Sequence, residues 1–303
     1  MRDRNPLAGR LAVVTGAARG VGAAVARELA HRGVRVALLG REGETLELVA
    51  RTLETEAHCF EVDVTDDAAM ERVAAEVSAR LGRPSIVVAN AGVAEGGPFV
   101  TSDPVSWRRV VEVNLVGSAV TARAFLPGLL TTHGYLLQIA STASFGAAPM
   151  MSAYCASKAG VESLAQSLRA ELAHRRVEVG IAYLSWTGTD MIRDADRYDV
   201  LRELRGHMPP PARRVHPVEQ VAGWLVRGIE RRSPTVYAPP WLRLAQPVRP
   251  FLPQVVTWVS RRQLPRLEER ARFEATGLLG AGGQAARRAS GQGGDRSGRH
   301  ARP

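Results

Sequence analysis

Thr15-Gly16-Ala17-Ala18-Arg19-Gly20-Val21-Gly22 stands between a short β-rich run, Leu11 to Val14, and an Ala-rich helical pattern that reaches about His31 and stops at Gly33. Strand, glycine-rich turn and helix together make an arrangement that holds a dinucleotide. The glycines allow a tight turn and let a pyrophosphate approach the backbone, where the helix N-terminus favours negative charge. The Gly-x-x-x-Gly-x-Gly spacing is one residue longer than the commonest fingerprint. Gly16, Gly20, Val21 and Gly22 are therefore the first candidate cofactor contacts.

Working outward, a second strand, Val34 to Leu39, ends at Gly40-Arg41. A site for NAD usually carries an acid here to hold the ribose 2′-hydroxyl, which Gly40 lacks. Arg41, and Arg19 from inside the glycine turn, suit a 2′-phosphate instead, because guanidinium matches phosphate geometry. NADP(H) is the expected cofactor. The alternation then continues. His58 to Glu61 is a strand ending in Asp63-Val64, followed by a helix from about Asp66 to Arg80. Ser85 to Ala89 is a strand ending in Asn90-Ala91-Gly92. A long helical region from about Ser106 to Leu130 contains Asn114 and is expected to break near Pro127-Gly128. Leu136 to Ala140 is a strand that delivers Ser141, and Val177 to Leu184 is a further strand. Six or seven strands alternating with helices predict an α/β fold, a doubly wound parallel sheet of the Rossmann type in one domain. Ligands in such sheets sit outside the carboxyl ends of the strands. Gly16, Arg41, Asp63, Asn90, Ser141 and the loop after Leu184 all fall at that edge.

The same edge receives Tyr154-Cys155-Ala156-Ser157-Lys158, at the start of a helix that runs to about His174. A spacing of four places phenol and ammonium on one helix face, one turn apart. A cation held there favours phenolate, so the phenol is expected to titrate below its ordinary value of about 10. A proton donor poised near neutrality is what carbonyl reduction needs, because the oxygen gains charge as hydride reaches carbon. Lys158 is the only lysine among 40 basic residues, the rest being arginine. Arginine cannot deprotonate and is a poor substitute for a compact point charge.

Composition bounds the rest. At 303 residues, 45% hydrophobic and 23% charged, the chain can build one large core. Two cysteines, Cys59 and Cys155, are too few for a disulfide framework, so a reducing, cytoplasmic setting is expected. No secretory signal and no uninterrupted apolar run of about 18 residues is visible. No metal-ligand cluster is expected. The net charge of +10 is carried by the C-terminal quarter, leaving the body about neutral.

Taken together, TGAARGVG, Asp63-Val64, Asn90-Ala91-Gly92, Asn114, Ser141 and Tyr154-x-x-x-Lys158 resemble the short-chain dehydrogenase/reductase family over roughly residues 8 to 237. Ser141 precedes Tyr154 by 13 residues, the family's spacing. The resemblance implies that Tyr154 exchanges a proton with the substrate oxygen and that Lys158 lowers its pKa and holds the nicotinamide ribose. It implies that Ser141 hydrogen-bonds the carbonyl oxygen and that Asn114 holds a water relaying protons to Lys158. Asp63 and Val64 would contact adenine, and Asn90, Ala91 and Gly92 would line the cofactor. The family's Pro-Gly-x-x-x-Thr is here Leu184-Ser185-Trp186-Thr187-Gly188-Thr189; Thr189 is retained to hold the carboxamide. Trp186 is expected beside the substrate, packing the loop or forming a wall for a bulky apolar molecule. The family habit also implies a homo-oligomer, a dimer or tetramer. The expected activity is interconversion of an alcohol and a ketone or aldehyde. A non-catalytic NADP(H) sensor or a membrane-surface adaptor is the alternative, against which the intact Ser-Tyr-Lys-Asn set argues.

The cofactor-binding domain is expected to span 1–237, followed by an apolar and basic extension over 238–276 and a disordered tail over 277–303. Prolines 239, 240, 247, 250 and 253 exclude a regular helix before about Gln254. Aromatic and aliphatic residues interleaved with arginines over 235–262 suit peripheral contact with an anionic membrane. They suit equally a lid over the cleft or packing on a neighbouring subunit. A nucleic-acid role is not expected, since there is no reading helix or stacking platform.

Overall fold

The computed structural model describes residues 5–270 and 273–283. In chain order the elements are β1 (Leu11–Thr15), α1 (Gly20–His31), β2 (Arg35–Gly40), α2 (Gly43–Ala50), β3 (Ala57–Glu61), α3 (Asp67–Leu81), β4 (Ile86–Ala89), β5 (Glu95–Gly96), α4 (Pro104–Val111), α5 (Gly117–Thr132), β6 (Tyr135–Ser141) and α6 (Ser152–Leu172). They continue as β7 (Glu178–Leu184), α7 (Asp190–Ala195), α8 (Asp199–Gly206), α9 (Pro210–Arg213), α10 (Val218–Glu230), β8 (Thr235–Ala238), α11 (Leu252–Glu268) and β9 (Gly277–Leu278). Seven strands form one parallel sheet in the order β3-β2-β1-β4-β6-β7-β8. The strand order reverses between β1 and β4, the switch point where such sheets open a crevice.

Burial explains why these segments are strands. β1, β4 and β6 are buried throughout, so they read as continuous apolar runs rather than alternating ones. Two apolar layers cover the sheet. Helices α1 and α10 close one face over Val14, Leu38, Ile86 and Leu137. Helices α3, α5 and α6 close the other over Val13, Leu39, Val87 and Leu136. Helix starts follow local chemistry: Asp66 accepts from the Ala69 amide, and Asp103, before Pro104, accepts from the Val105 and Ser106 amides.

Three expectations are corrected. The long helical region does not break at Pro127, which lies inside α5. The irregularity comes earlier, where Glu112–Val116 forms one π-helical turn joining α4 to α5. Nor does ordered chain end at 276. Gly277–Leu278 pairs antiparallel with Glu95–Gly96, and the Thr276 and Leu279 amides donate to Gly96 and Ala94 carbonyls at 2.8 Å each. The remainder of the expected tail, 284–303, lies outside the described residues. The sheet also runs past the anticipated catalytic region, since β8 ends at Ala238. The helical run 104–132 is apolar and long enough to cross a membrane, but half of it is buried against α3, α6 and the sheet.

Candidate active site

At the carboxyl edge of the sheet one cleft is lined by Gly16, Arg19, Gly20 and Val21, by Arg41, Asp63 and Val64, by Asn90 to Gly92, and by Ser141, Tyr154, Lys158 and Thr189. The glycine turn is built so tightly that side chains are excluded. A Cβ on Gly22 would lie 2.2 Å from the Gly16 carbonyl oxygen, and one on Gly16 would lie 2.8 Å from the Ala91 Cα. Gly16 has φ +64° and Gly20 φ +53°, a region that favours glycine. Asn90 ties the end of β4 to this turn: its Nδ2 donates to the Thr15 and Gly16 carbonyls at 2.9 and 3.3 Å. Its backbone amide and that of Ala91 both donate to Thr15 Oγ1.

The two arginines expected at a 2′-phosphate flank this turn, and each meets a carboxylate. Arg41 Nε lies 3.4 Å from Asp63, and Arg19 pairs closely with Glu42 and reaches Asp190 at 3.8 Å. Glu42 lines the cleft and was not anticipated from sequence. Burial alone would raise Asp63, but hydrogen bonds from Thr65 and the charge of Arg109 hold it below its usual value. The Arg19 Nε is buried without a hydrogen-bond partner, on a residue that lines the cleft beside the glycine turn. Orphaned donor, excluded side chains and helix N-terminus together fit a dinucleotide phosphate. Val64 packs against Gly117, where a Cβ would come within 2.6 Å of its side chain.

Ser141 ends β6, and its hydroxyl donates to the Leu184 carbonyl at 3.3 Å while accepting from the Ala143 amide at 3.2 Å. Tyr154 lines the same cleft. Lys158 is buried one turn below, its Nζ donating to the Ile139 carbonyl at 2.8 Å and lying 5.8 Å from the Tyr154 ring centroid. Burial pushes the Tyr154 phenol above its ordinary value, against the lowering effect of Ser141. The downward shift expected from the Lys158 cation is not found, because burial of the phenol outweighs it; the Lys158 ammonium donates to the Ile139 carbonyl. Burial pulls Lys158 itself down to about 8.

Asn114 sits in the π-helical turn, fully buried. Its Oδ1 accepts from the Val93 amide at 2.8 Å, and its Nδ2 donates to the Val93 carbonyl and to Ser157 Oγ, each at 2.9 Å. Both donors of the side chain are thus spent on bracing the strand exit against α6.

The loop after β7 departs from expectation at one residue. Ser185 and Thr187 line the cleft, and the Ser185 amide donates to the Ala238 carbonyl at 2.9 Å, extending the sheet by one residue. Trp186 does not line it. Its ring faces out of the cleft under the Arg205 guanidinium of α8, 5.4 Å away, as the alternation of an extended chain requires between two inward residues. What sequence reading missed is the returning C-terminal segment. Leu279 to Gly283 line the same cleft, and Leu279 packs in an apolar cluster with Ala94, Met151, Tyr154, Met191 and Leu201. The Gly280 amide is held by Asp194 at 2.9 Å. The run Thr276-Gly277-Leu278-Leu279-Gly280 carried a signal, two leucines between glycines, within a stretch that otherwise reads as irregular.

Comparison with known proteins agrees with this geometry. An uncharacterised oxidoreductase of Staphylococcus saprophyticus is 32% identical over 62% of this chain and 82% of its own length. Nodulation protein G of a Rhizobium species is 31% identical over 71% of this chain and 87% of its own. Among solved structures, a metagenomic short-chain oxidoreductase in complex with NADP is 37% identical over 59% of this chain and 84% of its own, with a TM-score of 0.57. A short-chain type dehydrogenase/reductase from Mycobacterium marinum shares the fold at 24% identity, with a TM-score of 0.70 over 78% of this chain and 96% of its own. Residues 10–199 match the profile of the short chain dehydrogenases, and the chain belongs to that family of oxidoreductases.

Proposed function

We propose that this chain interconverts an alcohol and a ketone or aldehyde on an apolar substrate, using NADP(H), with Tyr154 as the acid/base. The observation that carries the reading is that Ser141, Tyr154 and Lys158 line one cleft together with the glycine turn, Lys158 one helical turn beyond Tyr154. The nicotinamide, when bound, supplies or accepts the hydride. Ser141 donates to the substrate oxygen and stabilises charge where it develops. Tyr154 gives up its proton to that oxygen in reduction and recovers it in oxidation. The cation of Lys158 favours the phenolate left behind. Asn114 and Asn90 act by position, holding the Val93 strand exit and the glycine turn. The Met151, Met191 and Leu279 side chains beside Tyr154 make the substrate side apolar.

Arg19, with its unpartnered buried Nε, and Arg41 support NADP(H). The structural relative with NADP bound is in accord. Glu42, immediately after Arg41 and lining the cleft, favours a second reading in which a carboxylate holds the 2′-hydroxyl of NAD(H). Titration with NADPH and NADH, followed by nicotinamide fluorescence in wild type and Arg41→Ala, separates them. Tighter NADPH binding that the substitution removes supports the proposal. Equal binding of both nucleotides, unchanged in the variant, assigns the site to NAD(H). A Tyr154→Phe variant that binds NADPH normally but turns over carbonyl substrates as fast as wild type would remove the acid/base assignment.

A further inference from the structure

We propose that the outer face of α11, with the turns leading into it, is a docking surface for an anionic lipid bilayer. Leu244, Val248, Phe251, Val255 and Trp258 are 50–71% exposed, five large apolar side chains along one continuous segment. Their spacing alternates between four and three residues. On a helix this is the repeat of a single face, so Phe251, Val255 and Trp258 stand in one line along α11. The opposite face is already used: Leu252 packs on the main core and Leu267 is buried. The stripe is therefore surplus to the fold.

Charge decides the occupant. Between Pro240 and Leu267 the chain has five arginines and no acid. Arg243, Arg261, Arg262 and Arg266 are exposed, and Arg262 lies 3.8 Å over the Trp258 ring. An apolar line with aromatic rings, flanked by arginines until Glu268 and Glu269 close the helix, matches a bilayer interface. Rings and aliphatic chains enter the acyl boundary there, and guanidinium groups meet phosphates. A second copy of this face is disfavoured because pairing it would set arginines against arginines. The chain's own residues 284–303 carry no large apolar side chain with which to cover the stripe.

The surface is tied to the active site through backbone. Arg249, within it, donates to the Ser144 carbonyl, three residues beyond Ser141, and Leu252 and Pro253 sit against Gly146 of the same loop. A docked bilayer would thus lie beside the loop that carries Ser141, which suits a substrate delivered from lipid.

The test is flotation of the full chain with vesicles of phosphatidylcholine alone and of phosphatidylcholine mixed with phosphatidylglycerol. Wild type, the double variant Phe251→Asp with Trp258→Asp, and Arg261→Gln with Arg262→Gln are compared. NADPH titration of each reports whether the cleft remains folded. The expected result is flotation of wild type with the mixed vesicles only, reversed by salt. Both variants are expected to bind about tenfold more weakly or worse while keeping NADPH affinity. No flotation of wild type, or flotation indifferent to both variants, overturns the proposal. A dimer of wild type that the apolar variant dissociates, with no vesicle binding, gives the face to a second copy instead. Because NADPH is read separately, failure here is distinguishable from failure of the catalytic assignment.

Discussion

Arg249 donates to both carboxylate oxygens of Glu162, and Glu162 lies one helical turn beyond Lys158 on the helix that begins beside Tyr154. The pair is enclosed on the α6 side, where the Glu162 side chain is only 5% exposed. The guanidinium also lies 5.3 Å over Phe145. The extension thus braces both α6 and the loop after Ser141. Removing the arginine strands a buried carboxylate. Arg249→Ala is expected to cost about 2–4 kcal/mol, below the full penalty of a buried pair because the arginine is partly in water. Urea unfolding measures it. Adding Glu162→Gln should restore much of the loss, whereas an unchanged midpoint in the single variant would mean the contact contributes nothing.

The glycine turn gives a sharper prediction. Gly22→Ala puts a methyl group 2.2 Å from the Gly16 carbonyl and 2.6 Å from Asn90 Nδ2, a clash that backbone movement alone can relieve. The expected cost is about 1–3 kcal/mol, with loss of nucleotide binding as the turn opens. Calorimetry and NADPH titration report the two effects. Gly82→Ala, with nothing near its would-be Cβ but φ +91°, is a control that strains backbone without touching the cleft.

Lys158 predicts opposite signs for stability and activity. Its folded value of about 8 lies below the ordinary 10.5 because the charge is buried. Between those two values the unfolded chain keeps a proton that the folded chain has released, so stability rises with pH across that window. Below about 8 both forms are protonated and the full cost of burying the charge remains, about 3 kcal/mol from the same two values. Lys158→Met is therefore expected to raise stability at neutral pH, less the hydrogen bond to Ile139, and to flatten the rise toward pH 10.5. Turnover should be lost in the variant. In wild type it should decline as pH rises through about 8, since the cation that favours phenolate disappears. Urea midpoints across this range, set beside a pH–rate profile, test both. A wild-type stability that does not rise between these pH values would contradict the buried cation.

Much of the fold and site was legible because it is local. A glycine turn, a strand-ending Asp63 or Asn90 and a Tyr-x-x-x-Lys helix start are short segments whose chemistry is complete within a few residues. What escaped depends on chain folded back from a distance. The pairing of Arg19 with Glu42 needs α1 and α2 to converge at the sheet edge. The side that Trp186 takes turns on one step of an extended chain, and the Arg205 guanidinium over its ring belongs to a helix nearly twenty residues away. The π-helical turn at Glu112–Val116 is set by Asn114 binding Val93 and Ser157, not by any propensity of its own residues. Gly277, Gly280, Gly282 and Gly283 read as an irregular tail by composition. In the structure Gly277 and Gly280 adopt φ +60° and +76°, and a Cβ on Gly280 would lie 3.0 Å from the Met191 backbone, so glycine suits the position.

That returning segment carries the last prediction. It is held by a two-residue strand pair, by the Gly280–Asp194 bond and by Leu279, which is 2% exposed. Such a short attachment opens without global unfolding, so its stability is local. Leu279→Ala removes the apolar anchor beside Tyr154. The amides of Thr276, Leu279 and Gly280 should then exchange with solvent about tenfold faster or more, while those of β1, β4 and β6 keep wild-type protection. The KM for a bulky apolar carbonyl should rise, because one wall beside the phenol is lost. Buried Glu95 lies in the strand that Leu278 and Gly277 pair with, and burial, with the Asp103 charge, raises its carboxyl to about 7. Its neutral form contributes stability that is complete below pH 4.5 and is lost as pH rises through about 7. Exchange of the segment should therefore quicken between about pH 4.5 and 7 in wild type, beyond the intrinsic acceleration that β1 amides show, and Glu95→Gln should abolish the excess. Hydrogen–deuterium exchange on the three proteins decides the matter. If the excess persists in Glu95→Gln, the pH sensitivity of the segment comes from another group.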